Sequence, residues 1–429
     1  MRTFVAKKRA SHLALAIALA TGTVLAVGGI AEPAYAQKKE KKQKAQPYSK
    51  EFVAAFNPVQ EAVNAEGGDV SGVVAQIPGL VALANTPDEK LATGNIAYNV
   101  GVKVNQPELQ YQGMKLMLES GKVDEANIGQ YNFVAYQLAN SLERYGEARP
   151  YLQKAMEYNF ANDRISAAGL KIAMAENLIA DKRLDEGLDY LSNAIKEQKA
   201  AGNPVDEQWY RRGLSLAYNN NSPKVYDFVT GWVADYPSAT NWRDAVNIAR
   251  NMNDYGNPEK LDLLRLGFRV DSLQDKQEYI DYIEAADPRR LPKEVETVIN
   301  HGYSTGRVSK DDMYVADSLR TASGRISADK AELPSLERDA NASGAALRTV
   351  MAAGDAFLNY GEYAKAETFY QKSLGMAGVN KDEALTRLGI AQAELGKYDE
   401  AKATFSQVTG SRLPIARLWI AYVDEKAGA

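Results

Sequence analysis

A 35-residue echo in the last third of the chain limits what these 429 residues can fold into more than any other feature. Gly354, Phe357, Gly361, Tyr363, Ala366 and Tyr370 return in order as Gly389, Gln392, Gly396, Tyr398, Ala401 and Phe405, and five of the six pairs keep residue type or aromatic character. A period of about 34–36 residues belongs to helical hairpins, each too small to bury its own apolar face, which must therefore stack. In the first hairpin, Leu347, Val350, Met351, Gly354 and Phe357 share one side of a helix, Gly361 sits in the turn, and Ala366, Phe369, Tyr370 and Leu374 face back. Gly354 and Ala366 are expected to be small because the two helix backbones approach most closely there. The next unit repeats the plan with Leu385, Leu388, Ala401, Phe405 and Val408, and Pro414 opens a last helix bearing Ile415, Leu418, Trp419 and Tyr422. The clearest repeats are thus 347–380 and 382–415, with a capping helix over 414–425 that covers the final apolar face.

From Ser49 onward the apolar spacing is helical, with no sustained period-two alternation, so the chain is expected to be all-α. Earlier units are more degenerate. Trp209, Gly213, Leu216, Trp232 and Pro237 fit one repeat, and Trp242 lies where the next would begin. Tyr145, Ala148, Leu152 and Ala155 fit a second helix, as do Leu184, Gly187, Leu191 and Ala194. A longer echo sets Pro107 to Val123 against Pro292 to Val308, at an offset of 185 residues. The match is weakest over 255–340, and within it Asp287-Pro288 and the 302–306 loop make 287–310 the candidate place for a break between two superhelices.

These residues resemble the tetratricopeptide repeat (TPR) family, whose motif has a small residue in the first helix, an aromatic near its end, then Tyr, Ala and an aromatic along the second. The match departs at Gln392, where an aromatic or Leu is usual, and at Ser373, where Ala is commoner. The resemblance implies a right-handed superhelical solenoid over 51–429 whose concave wall is built from first helices and holds a protein or peptide. Tyr210, Leu214, Ala217 and Tyr218 follow Trp209 at helical spacing and are the candidate partner-binding residues of that wall. Some members grip a C-terminal carboxylate with Lys, Asn and Arg; here the equivalent places hold Asp355, Leu358, Asn359, Ile390 and Glu394, so that clamp is not expected.

Residues 1–36 read as a secretory signal peptide: Arg2, Lys7, Lys8 and Arg9, an apolar run from Leu13 to Ile30, then Ala34 and Ala36 before Gln37 as the cleavage site. An uncleaved anchor helix is the alternative, but Thr21, Gly22, Thr23, Gly28 and Gly29 weaken the run and Glu32-Pro33 ends it. No later run is long and apolar enough to span a bilayer, so a periplasmic or secreted location in a Gram-negative envelope is expected. With no cysteine, the exported chain takes its stability from buried helix faces and not from disulfides. The net charge of −4 hides a division between a basic segment, 37–50, with six lysines against Glu40, and an acidic body. That segment reads as a disordered linker, either a solvated spacer or a weak electrostatic contact with anionic surfaces. Nucleic acid is not an expected partner of an acidic exported body.

Gly302-Tyr303-Ser304-Thr305-Gly306 has the G-x-S-x-G spacing of a hydrolase elbow, which requires a preceding strand and a later histidine. The residues before it continue a helical pattern and His301 precedes the serine, so Gly306 is expected to be a helix stop. One histidine beyond residue 36 and no cysteine leave no metal cluster of those ligands, and no phosphate-cradling or dinucleotide motif is present. No catalytic residue, metal or cofactor is expected. The function that follows is a non-catalytic exported scaffold that binds a protein or peptide. The alternatives are a component of peptidoglycan metabolism and an envelope protein that self-associates through the terminal helix around Trp419.

Overall fold

Helical spacing of apolar residues becomes helix throughout the computed structural model, which describes residues 48–65 and 70–428 and has no β-strand among them. Consecutive helices pack in succession as a helical-repeat solenoid. The expected leader 1–36, its cleavage residues Ala34, Ala36 and Gln37, and segment 37–47 lie outside the described residues.

The chain divides into two compact units at Leu170. The first contains α1 (Lys50–Asn64), α2 (Ser71–Val74), α3 (Ile77–Leu83), α4 (Pro87–Lys103), α5 (Pro107–Glu119), α6 (Glu125–Ser141) and α7 (Tyr145–Glu157). Phe52, Phe56 and Val59 of α1 share a core with Ile77, Leu80, Ala97 and Val100. Glu89 stitches this unit together from the first turn of α4: it closes a capping box with Thr86 and accepts from the Ser49 and Asn85 amides. Burial alone would raise its carboxyl, but the Ser49 and Thr86 amides outweigh burial and hold it down at about 2.

The second unit begins within α8 (Ala167–Ala180) and runs through α9 (Leu184–Ala200), α10 (Glu207–Asn219), α11 (Val225–Asp235), α12 (Ala239–Asn251), α13 (Asn257–Arg269) and α14 (Lys276–Ala286). It continues with α15 (Pro292–Ser304), α16 (Met313–Asn341), α17 (Leu347–Asn359), α18 (Tyr363–Leu374), α19 (Lys381–Glu394), α20 (Tyr398–Phe405) and α21 (Leu413–Ala427). The hairpins α17–α18 and α19–α20 are the two clear repeats. Their turns are alike: Gly361 and Gly396 take φ of 73° and 74°, and the amides of Glu362 and Lys397 reach back to the Phe357 and Gln392 carbonyls. The echo at offset 185 is equally literal, since α5 and α15 each run 13 residues and end before a left-handed glycine, Gly121 and Gly306.

Three expectations are corrected here. The glycines of the repeat are sockets for rings: a Cβ on Gly354 would lie 2.6 Å from the Tyr370 ring, and one on Gly389 2.6 Å from that of Phe405. The stretch 287–310 is not a break, because Leu291, Val295, Val298, Ile299 and Val308 fill one core with residues of α13, α14 and α16. The end of the array is not open. Besides α19 and α20, α21 packs against α11, α12 and α13, so the second unit closes on itself. Trp419 is fully buried there, its indole N–H donating to the Asp262 carbonyl at 3.1 Å. Arg417 pairs with Asp227 at 2.7 Å on the same contact. The terminal-helix route to self-association loses its basis, since the apolar face it requires is covered within the chain.

Candidate functional site

The four residues read from sequence as a ligand wall separate in the structure. Tyr210 and Ala217 lie on the face of α10 that packs against α11: Tyr210 is buried, its ring over Gly231 and its hydroxyl donating to Asp235. Burial and the Asp235 carboxylate push that phenol well above its ordinary range. Leu214 is half-buried and Tyr218 is exposed. Seven-residue spacing returns a side chain to the same face of a helix, and that face is core.

The second unit instead forms a cavity of about 190 Å³ lined by residues from every second helix from α13 to α19. Arg265, Phe268 and Arg269 come from α13, Lys293, Glu294, Thr297 and Val298 from α15, Leu358 and Asn359 from α17, and Ile390 and Glu394 from α19. Tyr282, Tyr360 and Tyr363 complete the wall.

Its floor is a paired ionic layer. Arg265 is held by both oxygens of Glu294, at 2.7 and 2.8 Å, and by Asp262 at 2.8 Å, while the Tyr282 hydroxyl donates to Glu294 at 2.6 Å. Burial would raise the Glu294 carboxyl, but Arg265 overrides burial and the net shift is downward. Asp262, fully buried behind this layer, meets two further guanidiniums, Arg387 and Arg412, and they and Arg265 hold it below the usual carboxylate range against its own desolvation. Arg387 also bonds Asp355 at 3.0 Å, to which the Tyr370 hydroxyl donates at 2.8 Å. The rim carries a second pair, Arg269 with Glu394 at 2.5 Å, and Arg269 also donates to the Tyr363 hydroxyl at 3.1 Å. Burial raises the Glu394 carboxyl, with Arg269 opposing it.

Asn359 stands apart from these pairs. It is 5% exposed, and its Oδ1 accepts from the Glu294 amide at 2.8 Å. Tyr360 beside it donates to Asp329 at 2.7 Å; burial and Asp329 push that phenol up, and the Asn359 amide pulls weakly the other way.

Ser304 of the G-x-S-x-G motif closes α15, its hydroxyl donating to the His301 carbonyl at 2.9 Å, and Gly306 follows at φ 70°. A helix precedes the serine where a hydrolase elbow has a strand. Among the described residues no group of three or more His, Asp or Glu is arranged to hold a metal ion, and no helix is long and apolar enough to cross a membrane.

Sequence reasoning missed the ionic layer. Asp262 and Arg265 stand three apart inside Leu261-Asp262-Leu263-Leu264-Arg265-Leu266, where charges on an otherwise leucine face mark a buried pair. Residues 382–412, covering α19, α20 and the turn after them, match the family model for a tetratricopeptide repeat. No curated protein matches the chain.

Proposed function

From a chain that carries a tetratricopeptide repeat, we propose an exported, non-catalytic scaffold that holds a protein or peptide partner on the inner side of its second unit. The repeat match at 382–412 carries this reading, since such repeats serve protein–protein interaction, and the matched helices contribute Ile390 and Glu394 to the cavity wall. Export is supported by the leader pattern ending at Ala34, Ala36 and Gln37. The scaffold works in the periplasm or outside the cell, and segment 37–50 joins it to the leader.

The test places a photo-crosslinking residue at Thr297, on the cavity mouth, and at Ala403, an exposed position of α20 away from it. A discrete partner captured from Thr297 and not from Ala403 is the expected outcome. Equal capture at both sites, or none at either, would overturn the proposal. N-terminal sequencing of the protein from the envelope fraction should begin at Gln37; an intact Met1 there would replace the cleaved leader with an uncleaved anchor, and absence of the protein from the envelope fraction would remove the export reading.

A further inference from the structure

We propose that Asn341 is a site of N-glycosylation, its side-chain amide accepting an oligosaccharide from a lipid-diphosphate donor once the chain has crossed the cytoplasmic membrane. The inference rests on the export reading above and is independent of what the scaffold holds.

An asparagine two residues before Ser or Thr, with no proline between, is the acceptor pattern of surface loops in exported proteins. Two asparagines of the chain meet it: Asn220, before Asn221-Ser222, and Asn341, before Ala342-Ser343. So short a pattern decides nothing alone, and the surroundings separate the two.

Asn341 is the last residue of α16, and the chain leaves the helix directly after it. Ala342 takes φ −55° and ψ 147°, and residues 342–346 run in turn and coil to the start of α17. Asn341, Ala342, Ser343 and Gly344 are all exposed. No group of the chain bonds the Asn341 amide or the Ser343 hydroxyl, so a transferase would meet both without a contact to break. Asn220 differs on each count. Its Nδ2 donates to the Leu216 carbonyl at 2.8 Å, Asn221 sits at φ 52°, and Ser222, whose hydroxyl would have to be reached, is 5% exposed.

Asp339 supplies a further handle. It stands two residues before Asn341, exposed and in no ion pair within the chain, so residues 339–343 offer a carboxylate, an amide and a hydroxyl together. A cation in the transferase groove gains a charge-assisted contact there, whereas Tyr218 holds the corresponding place before Asn220. In the transfer, Asn341 Nδ2 bonds to the anomeric carbon of the first sugar and the bond from that carbon to the diphosphate oxygen breaks. The lipid diphosphate leaves with the electron pair, the amide gives up one proton, and nothing is oxidised or reduced.

The glycan would stand clear of the cavity. The 13 residues of α17 lead from this loop to Asn359, about 20 Å at 1.5 Å per residue. A bulky hydrated group at Asn341 shields an exposed turn of small residues, the kind of segment where proteases nick.

Arg338 and Arg348 bracket the segment, so trypsin releases residues 339–348 as a single peptide. The protein is purified from the envelope fraction of its own cells, and this peptide is read by mass spectrometry under fragmentation that keeps sugars in place. The expected result is a sugar chain on Asn341, with Asn220 bare. Asn341→Gln should abolish the added mass, and Asp339→Ala should lower the glycosylated fraction about tenfold through loss of one charge-assisted contact. Both side chains are exposed, so neither change threatens the fold. An unmodified 339–348 peptide from the envelope fraction overturns this inference and leaves export standing, as does sugar carried on Ser343 in place of Asn341. Absence of the protein from that fraction counts against both.

Discussion

Trp419→Ala probes the closure of the second unit most directly. The indole is fully buried, stacked on Phe405 at 5.8 Å between ring centres, edge-on to Tyr422 at 5.5 Å, and donates to the Asp262 carbonyl. An aromatic of this kind buries about 150–250 Å², and at ~25 cal/mol per Å² that is roughly 4–6 kcal/mol, an upper bound. Truncations of buried Phe and Trp cost about 3–5 kcal/mol, so about 4 kcal/mol is expected, a large share of a folding free energy of about 5–15 kcal/mol. What separates a closed array from an open one is where the loss appears. In an open array each repeat feels only its neighbours, and the damage would stay in α19–α21. Because α21 also packs on α11, α12 and α13, those helices should lose amide protection too, by up to about a thousandfold where exchange proceeds through the shared opening. Hydrogen–deuterium exchange read by mass spectrometry resolves the two. Unchanged protection in α11–α13 beside increased exchange in α20–α21 would refute the reasoning.

Four further outcomes are expected. Gly389→Ala should destabilise by about 1–3 kcal/mol in urea titrations, because the new methyl would press on the fully buried Phe405 ring; Gly354→Ala against Tyr370 should behave alike. Asp262→Ala leaves Arg265, Arg387 and Arg412 gathered without their shared anion and should cost about 3–5 kcal/mol, more than Arg412→Met, which removes one cation and keeps the volume. Glu89 has a folded pKa below its unfolded value, so its contribution is complete above about pH 4.5 and is lost as pH falls towards about 2. The stability difference between the protein and Glu89→Gln should therefore shrink across that window in acid titrations followed by circular dichroism. Glu143 and Lys182 end α6 and α8 at φ of 58° and 62°, so Glu143→Gly and Lys182→Gly should each raise stability by up to about 1 kcal/mol in thermal melts.

The sequence made the hairpins legible because their determinants are local. Gly361 and Gly396 announce turns, Tyr370 and Phe405 sit a fixed distance from the glycines that receive them, and α17 to α21 fall where the 35-residue echo places them. Turns without glycine were harder to see: Asn105, Asn159, Asn221 and Asp271 adopt the same left-handed conformation, and nothing in the repeat marks them. The reading of a ligand wall turned on one ambiguity. Periodicity shows that Tyr210, Ala217 and Tyr218 sit on related faces, but only packing reveals that the Tyr210 hydroxyl is satisfied by Asp235 and its ring enclosed. The cavity and the closure lie beyond local pattern altogether, since Arg265 meets Glu294 only once helices fold together and Arg412 meets Asp262 across 150 residues.

That span sets a timetable for synthesis. In an ordinary stack each hairpin is covered by the next one to leave the ribosome, so no apolar face waits long. Here Asp227 emerges 190 residues before Arg417, an interval of about 10–40 s at typical elongation rates. For that time the side of α11–α13 that α21 will cover stands open to any chaperone or stray chain that reaches it first. A ribosome that stalls after α13 and before Arg412 would therefore release a chain vulnerable in its middle as well as at its unfinished end.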